Sequence, residues 1–592
     1  MLHNEWVIDR PPAGLAALVD RLEPLVGRRL AGQPWSPAAA ERARRLRDHL
    51  AGHVRIRVRS LDAPLLVLLA GPTGAGKSTL FNTLAGHKAS TTGVLRPTTR
   101  VAVVLVNPDD RAPLLDGTLA GVDRDRLRFI DDPTIPSGLA LLDAPDLDSI
   151  EHANRALADR LVEAADLGVF VTTATRYADR VPWDVLARIR ERGLPMVGVV
   201  NRMPPDPDDQ RVVLDDVARL LDEAGFRDAT VGNHEAPVEL IGVAEGDHDP
   251  AREALNPATV ASLIERIAAL RADKEGRRDL AARALAGALA GLGPLVDKVA
   301  DDCEHEAIDV AATQRIARTS FTRELAALRE AVAGGGFLRQ EALRQWQEYV
   351  GADQITRLFS RGIGRLRGLF SAVVRPTRAP VSEVRQATAD DLTALARVHA
   401  SEAARRTSNA WADIPPAARL LGSDSDTWTV SADFDQRLRN RVDQWVREIG
   451  EDIQARGPSR RALAWGASIG VNALGTGVML ATFIHTAGLT GTEIGVAAAT
   501  AFLNHRLLSA LFGEAAMAEL VGRARHRLGE LLTATFAEEE ERFTSLLPSP
   551  EALTELAHEL RGIADELREL PLGGAEEVRV RRRRRASARS AR

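Results

Sequence analysis

The stretch Gly71-Pro72-Thr73-Gly74-Ala75-Gly76-Lys77-Ser78 constrains this chain more than any other. It follows the apolar run Leu65-Leu66-Val67-Leu68-Leu69-Ala70, and the residues from Ser78 to Gly86 read as a helix. A strand, a loop with G-x-x-x-x-G-K-[ST] spacing and a helix together make a phosphate cradle. The glycines let main-chain N–H groups close around phosphate oxygens, and the start of the helix adds partial positive charge. Gly71, Gly74, Ala75, Gly76, Lys77, Ser78 and Thr79 are the candidate phosphate-binding residues. Lys77 is expected to reach the β- and γ-phosphates, and Ser78 to ligate Mg²⁺.

The rest of the chain sets this loop in an α/β domain. Residues 61–250 alternate apolar strand candidates (64–70, 101–106, 139–142, 168–173, 196–200 and 238–243) with helical stretches. That alternation predicts a mostly parallel sheet covered by helices on both faces. Before it, 11–60 reads as helical, broken at Pro34 and Pro37, with Ser36 as the start signal of a second helix. After residue 250 the strand signals fade. Stretches 258–333, 337–373, 381–411 and 432–457 carry apolar residues three and four apart, Gly334-Gly335-Gly336 marks a hinge or loop, and Pro376 and Pro380 bracket another. With 592 residues, 45% hydrophobic and only 4% aromatic, the chain is long enough for several domains and rich in helix formers. The expected division is an N-terminal helical segment (1–60), the P-loop domain (61–250), a large all-α bundle or stalk (251–460), a hydrophobic segment (461–515), C-terminal helices (516–570) and an Arg-rich tail (571–592).

Three further positions follow in order. Leu95-Arg96-Pro97-Thr98-Thr99-Arg100 precedes a strand, and a threonine in such a loop can complete Mg²⁺ coordination and sense the γ-phosphate. Thr98 and Thr99 both stand there, and the sequence does not choose between them. Asp143 ends the apolar strand before Ala144-Pro145-Asp146, where an aspartate holds Mg²⁺, usually through water. A later strand ends in Asn201-Arg202-Met203-Pro204.

This order resembles the GTPases of the translation-factor class. Within that class the helical C-terminal half, the Arg-Pro-Thr-Thr loop and a hydrophobic segment in the helical part look like bacterial dynamin-like GTPases. The resemblance is specific over residues 64–205 and architectural beyond them. It implies GTP and Mg²⁺ as cofactors and GTP hydrolysis coupled to movement of a helical arm. It also implies that Asn201 bonds the base, with the Arg202 stem placed to stack on it. Three departures stand out. Asp143-Ala144-Pro145-Asp146 replaces Asp-x-x-Gly, removing a glycine whose N–H meets the γ-phosphate. Asn201-Arg202-Met203-Pro204 replaces Asn-Lys-x-Asp, so the carboxylate that pairs with guanine is missing and GTP preference over ATP is left open. Thr73 stands where dynamin relatives carry a catalytic Gln or Ser, which makes Thr73 the candidate catalytic position beside Lys77, Thr98 and Thr99 and implies slow hydrolysis without assembly or a partner. Arg176, in the loop after a strand, is a candidate charge-stabilising residue or a solvated loop arginine.

Membrane and partner signals lie in the second half. From Ala462 to Thr492 there is no Asp, Glu, Lys or Arg, long enough for a span. It fits two spans, one tilted span, a re-entrant hairpin or an Ala/Gly-rich hairpin buried in a helical bundle. Residues 355–378 interleave Arg357, Arg361, Arg365 and Arg367 with Leu358, Phe359, Ile363 and Leu366, as in a basic helix on anionic lipid or a stalk helix with a solvated face. Net charge is −5, yet eight arginines fall in the last fourteen residues, so an acidic body ends in a basic tail suited to an anionic surface. The single cysteine, Cys303, excludes an intrachain disulfide, and the N-terminus has no secretory pattern. The expected partners are a guanine nucleotide, an anionic membrane surface and a second copy or related GTPase, with RNA behind these. The expected place is the cytoplasmic face of the membrane, otherwise the cytoplasm. The rivals are a soluble ribosome- or RNA-associated GTPase and a P-loop scaffold with little hydrolysis. An ABC-type ATPase is disfavoured by the lack of a Leu-Ser-Gly-Gly-Gln element.

Overall fold

The computed structural model describes residues 14–90, 101–145, 152–226, 238–249, 251–333, 381–421, 428–455 and 514–570. Thr98, Thr99, Asp146, the triple glycine at 334–336, Pro376, Pro380, the basic stretch 355–378, the charge-free stretch 462–492 and the arginine tail lie outside them. The chain divides into two compact units, residues 1–307 with 551–592, and residues 308–550.

The first unit is built on a seven-stranded sheet. Its elements are α1 (Leu15–Ala31), α2 (Pro37–His49), α3 (Arg55–Arg59), β1 (Leu65–Ala70), α4 (Lys77–Ala85), β2 (Ala102–Val106), α5 (Pro108–Asp116), β3 (Leu127–Asp131), β4 (Leu139–Asp143), α6 (His152–Ala164), β5 (Leu167–Thr173), α7 (Arg180–Arg192), β6 (Met196–Met203), α8 (Pro207–Glu223), β7 (Glu239–Ala244), the short β8 and β9 (His248–Asp249, Ala254–Leu255), α9 (Ala261–Ala272) and α10 (Lys274–Ala333). Sheet order is β3-β2-β4-β1-β5-β6-β7. Every pair is parallel except β2 with β4. The chain leaves β1 to build one side and returns to build the other, so β1 stands at a switch point, where open α/β sheets bind ligands beyond the strand ends.

All six residues of β1 are buried because both faces of the sheet are covered. Leu65, Val67 and Leu69 face α4, α9 and the start of α10, whereas Leu66, Leu68 and Ala70 face α6, α7 and α8. The six strand expectations match β1, β2, β4, β5, β6 and β7 to within a few residues. The edge strand β3 was not foreseen, since Leu127-Arg128-Phe129-Ile130-Asp131 is short and half polar.

A helical layer joins distant parts of the sequence. Ser36 caps α2, its hydroxyl accepting from Ala39 N at 3.5 Å. Leu15, Leu18 and Leu22 of α1 pack with Leu285, Leu289 and Leu292 of α10 and with Leu556, Leu560 and Ile563 of the last helix, Pro550–Glu569. Arg57 locks this layer to the sheet. Its guanidinium donates to Asp166 at 2.8 and 2.5 Å and to the carbonyls of Ala63 and Pro64. Asp166 also accepts from Leu66 N, so one buried carboxylate registers β1 against the turn into β5. Burial, with Arg192 and Arg57 nearby, holds the neighbouring His53 well below the usual histidine range. Helix α10 meets the turn after α7 backbone to backbone. A Cβ at Gly193 would lie 2.5 Å from the Gly287 carbonyl, and one at Gly287 would lie 2.0 Å from that of Gly193.

The second unit is helical. It holds the end of α10 with α11 (Val381–Ala412), the single-turn α12 (Pro415–Ala418), α13 (Phe434–Ala455) and α14 (Glu514–Thr544). Phe321, Trp411, Phe536 and Phe543 form its aromatic centre, with Trp411 against Phe543 at 5.6 Å and Phe321 against Phe536 at 6.4 Å. The Trp411 indole donates to Thr313 O, and that of Trp445 to Ala524 O. The expected architecture, a mostly parallel P-loop sheet plus a large all-α part, is the one observed.

Candidate nucleotide site

The phosphate loop emerges from the central strand between β4 and β5 and enters α4. Gly71 and Gly76 are required by space as well as by torsion. A Cβ on Gly71 (φ +153°) would meet the Val171 carbonyl at 2.0 Å, and one on Gly76 (φ +100°) would meet Asn201 Nδ2 at 2.3 Å. Lys77 opens α4, is 5% exposed, and folds its ammonium over the loop, donating to Gly71 O at 3.0 Å and Pro72 O at 3.1 Å. Thr79 lies in the first turn of α4, where its carbonyl accepts from Thr83 Oγ1.

Ser78 and Asp143, 65 residues apart, are brought together because β4 is hydrogen-bonded to β1. Ser78 Oγ donates to Asp143 Oδ2 at 2.7 Å, and Asp143 is fully buried. A hydroxyl and a carboxylate at the phosphate end of a helix are oxygen donors of the kind a hard divalent cation takes. Among the described residues no three His, Cys, Asp or Glu side chains form a cation cage of their own. A donor set of two oxygens fits Mg²⁺, which is held by one or two protein oxygens together with phosphate and water.

Asn201 takes a place that its sequence context did not show. Its Nδ2 donates to Ala75 O at 2.9 Å and its Oδ1 accepts from Arg202 N at 2.8 Å. The amide thus braces the phosphate loop from β6. Arg202 is exposed, with φ +54°. Thr73 is half-buried, and its carbonyl accepts from Arg176 Nη1 at 2.9 Å, while Arg176 Nε donates to Asp179 at 2.9 Å. The loop after β5 is further fixed by Tyr177, whose hydroxyl donates to Asp216, and by Trp183, whose indole donates to Tyr177 O.

Two residues were missed from the sequence. Ser90 Oγ donates to the same Asp143 oxygen as Ser78, at 2.9 Å. Asn82, 1% exposed on α4, donates to Ser90 O and Glu253 O and accepts from Ala89 N and Ser90 N. It ties the phosphate-loop helix to Ala89 and Ser90 and to the β8–β9 turn. A buried asparagine inside a short apolar helix was the available signal.

Residues 66–202 match the family described as 50S ribosome-binding GTPase. Over 140 residues the chain is 32% identical to GTPase Der of Rhizobium johnstonii, covering 23% of this chain and 24% of that protein. The chain therefore spans about a quarter of the length of that curated relative. A solved structure of an oligomerised bacterial dynamin pair aligns over 93% of this chain and 95% of its own, with 11% identity and a TM-score of 0.39. Toc33 from Arabidopsis thaliana in complex with GDP and Mg²⁺ aligns over 42% of this chain and 97% of its own, with 14% identity and a TM-score of 0.25. The glycine loop at the end of β1, the Ser78–Asp143 pair and the family match over the same residues make 66–202 a P-loop nucleotide-binding fold similar to that GTPase family.

Proposed function

We propose that this protein binds GTP with Mg²⁺, hydrolyses it slowly by itself, and couples nucleotide state to its helical part in a dynamin-like manner at the cytoplasmic face of a membrane. The observation that carries the nucleotide part is the hydrogen bond of half-buried Ser78 to buried Asp143, beside Lys77 at the switch point of the sheet. Gly71, Gly74, Ala75, Gly76 and Thr79 would surround the phosphates, with Lys77 turning from the loop carbonyls to the β- and γ-phosphates. Ser78 and Asp143, with Thr98 or Thr99, would hold Mg²⁺, which supplies positive charge between the phosphates. Thr73, whose carbonyl accepts from Arg176, would stand beside the γ-phosphate. Asn201 holds the loop, and Arg202 is left to contact the base.

Binding of labelled GTP and ATP, each with Mg²⁺ and with EDTA, tests this on wild type and Lys77→Ala. Mg²⁺-dependent GTP binding lost in Lys77→Ala is the expected result; no Mg²⁺-dependent purine triphosphate binding overturns it. The membrane part is supported by the charge-free stretch 462–492 and the arginine tail. Flotation with anionic vesicles, with and without residues 462–513, is expected to show loss of floating protein on deletion. A second reading, ribosome association, is favoured by the description of the matched family. It predicts salt-sensitive co-sedimentation with large ribosomal subunits instead of flotation.

A further inference from the structure

A cleft of about 950 Å³ opens at the opposite edge of the sheet from the phosphate loop, before the amino end of β6. It lies between α2, the α7–β6 turn and α10, all in the first unit. The close approach of Gly193 to Gly287 brings these backbones together, and small residues such as Ala286, Gly287 and Gly291 leave space above them. A volume of that size suits a small molecule.

The charge of the lining is not balanced within the cleft. All four lining carboxylates already have cations: Glu163 has Arg45 at 3.0 Å and His49 at 2.7 Å, Glu191 has Arg45 at 2.6 Å, Asp302 has Arg42 at 2.5 Å, and Asp301 has Arg561 at 2.7 Å. Four further lining cations, Arg190, Arg192, Arg283 and Lys298, take part in no ion pair among the described residues. Arg192 is 1% exposed, and its guanidinium donates only to carbonyls, Ala165 O at 2.8 Å, Ala284 O at 3.3 Å and Glu163 O at 3.5 Å. Nε of Arg192 and Nε of Arg283 are buried without a hydrogen-bond partner. Guanidinium groups left this way are costly in a low dielectric, and a phosphate matches their fork geometry.

We propose that this cleft binds a small polyanion carrying phosphate or pyrophosphate groups, held by Arg283, Lys298, Arg190 and the rim of Arg192. The site is separate from the nucleotide site, and the proposal does not depend on the nucleotide reading.

The test uses inorganic pyrophosphate as probe, by calorimetry at constant ionic strength, on the full chain carrying Lys77→Ala so that the phosphate loop is disabled. One site per chain is expected. Adding Arg283→Ala and Lys298→Ala is expected to weaken it by about tenfold or more, whereas Arg283→Lys with Lys298→Arg retains it. The urea midpoint of each variant reports whether it is folded. Pelleting with phosphatidylglycerol vesicles in place of pyrophosphate distinguishes the source of the phosphate. Loss of pelleting in the double alanine variant assigns the site to a lipid headgroup. Retained pelleting with lost pyrophosphate binding assigns it to a soluble anion. Unchanged binding of both probes in a folded double alanine variant, or no pyrophosphate binding in the Lys77→Ala chain, overturns the proposal.

Discussion

At the scale of single residues, Asn201 changes the meaning of the strand-end signature. A side chain expected at the base also spends its amide on the backbone of the phosphate loop, 2.9 Å from Ala75 O. Removing it leaves a loop carbonyl without that donor and frees the loop to move. Asn201→Ala is therefore expected to weaken nucleotide binding by about tenfold whichever purine is bound, since one hydrogen bond is worth about 1 kcal/mol or slightly more. Titration with GTP and with ATP checks this; a loss confined to GTP would place Asn201 at the base alone. Gly76→Ala is expected to be worse. Its φ of +100° and the 2.3 Å approach to Asn201 would strain the loop and push the brace away together. A Gly76→Ala chain that binds nucleotide like wild type would count against the loop geometry.

At the scale of elements, buried ionic contacts fix how helices meet the sheet. Glu163, at the end of α6, is clamped by His49 and Arg45 of α2. Burial by itself would raise its carboxyl pKa. The charge and hydrogen bond of His49, with Arg45 and Arg192, outweigh that and hold it at about 2, below the ordinary 4.5. A carboxyl depressed in the folded state stabilises fully above its unfolded pKa, and the contribution is lost as pH falls from about 4.5 toward about 2. Urea midpoints measured from pH 6 down to 2.5 are expected to fall less steeply through that window for Glu163→Gln than for wild type. Parallel curves would mean that the α2–α6 clamp does not act on stability. The Arg57–Asp166 pair shows the same logic at the start of β1 and β5. Asp166→Ala strands a guanidinium that is 1% exposed and is expected to cost about 3–5 kcal/mol in chemical denaturation.

At the scale of the whole molecule, both ends of the described chain meet in one helical core. Leu560 is fully buried among α1 and α10 residues, so Leu560→Ala is expected to cost about 2–5 kcal/mol through lost contacts and a cavity. Cys303 sits in that same core, and burial, with Glu306, Asp302 and Glu304 around it and only Arg29 opposing, pushes its thiol up to about 11. It is expected to stay unlabelled by a thiol reagent at pH 8 in the folded chain and to react once the core opens. Labelling of the native protein within minutes would contradict that burial. Much of this fold is written locally. The β1–loop–α4 unit, the Ser36 cap and the apolar strands follow from short-range periodicity and from glycines that the backbone itself demands. The sequence by itself therefore determined the phosphate loop, the α/β character of the sheet-bearing part and the helical character of the described residues after it. Contacts between residues far apart along the chain could not be read that way, because nothing local encodes which strand lies beside which. The antiparallel turn of β2 onto β4, the meeting of Ser78 with Asp143 and Ser90, the grip of Asn82 and Asn201, and the charged cleft under the sheet were decided by tertiary packing alone.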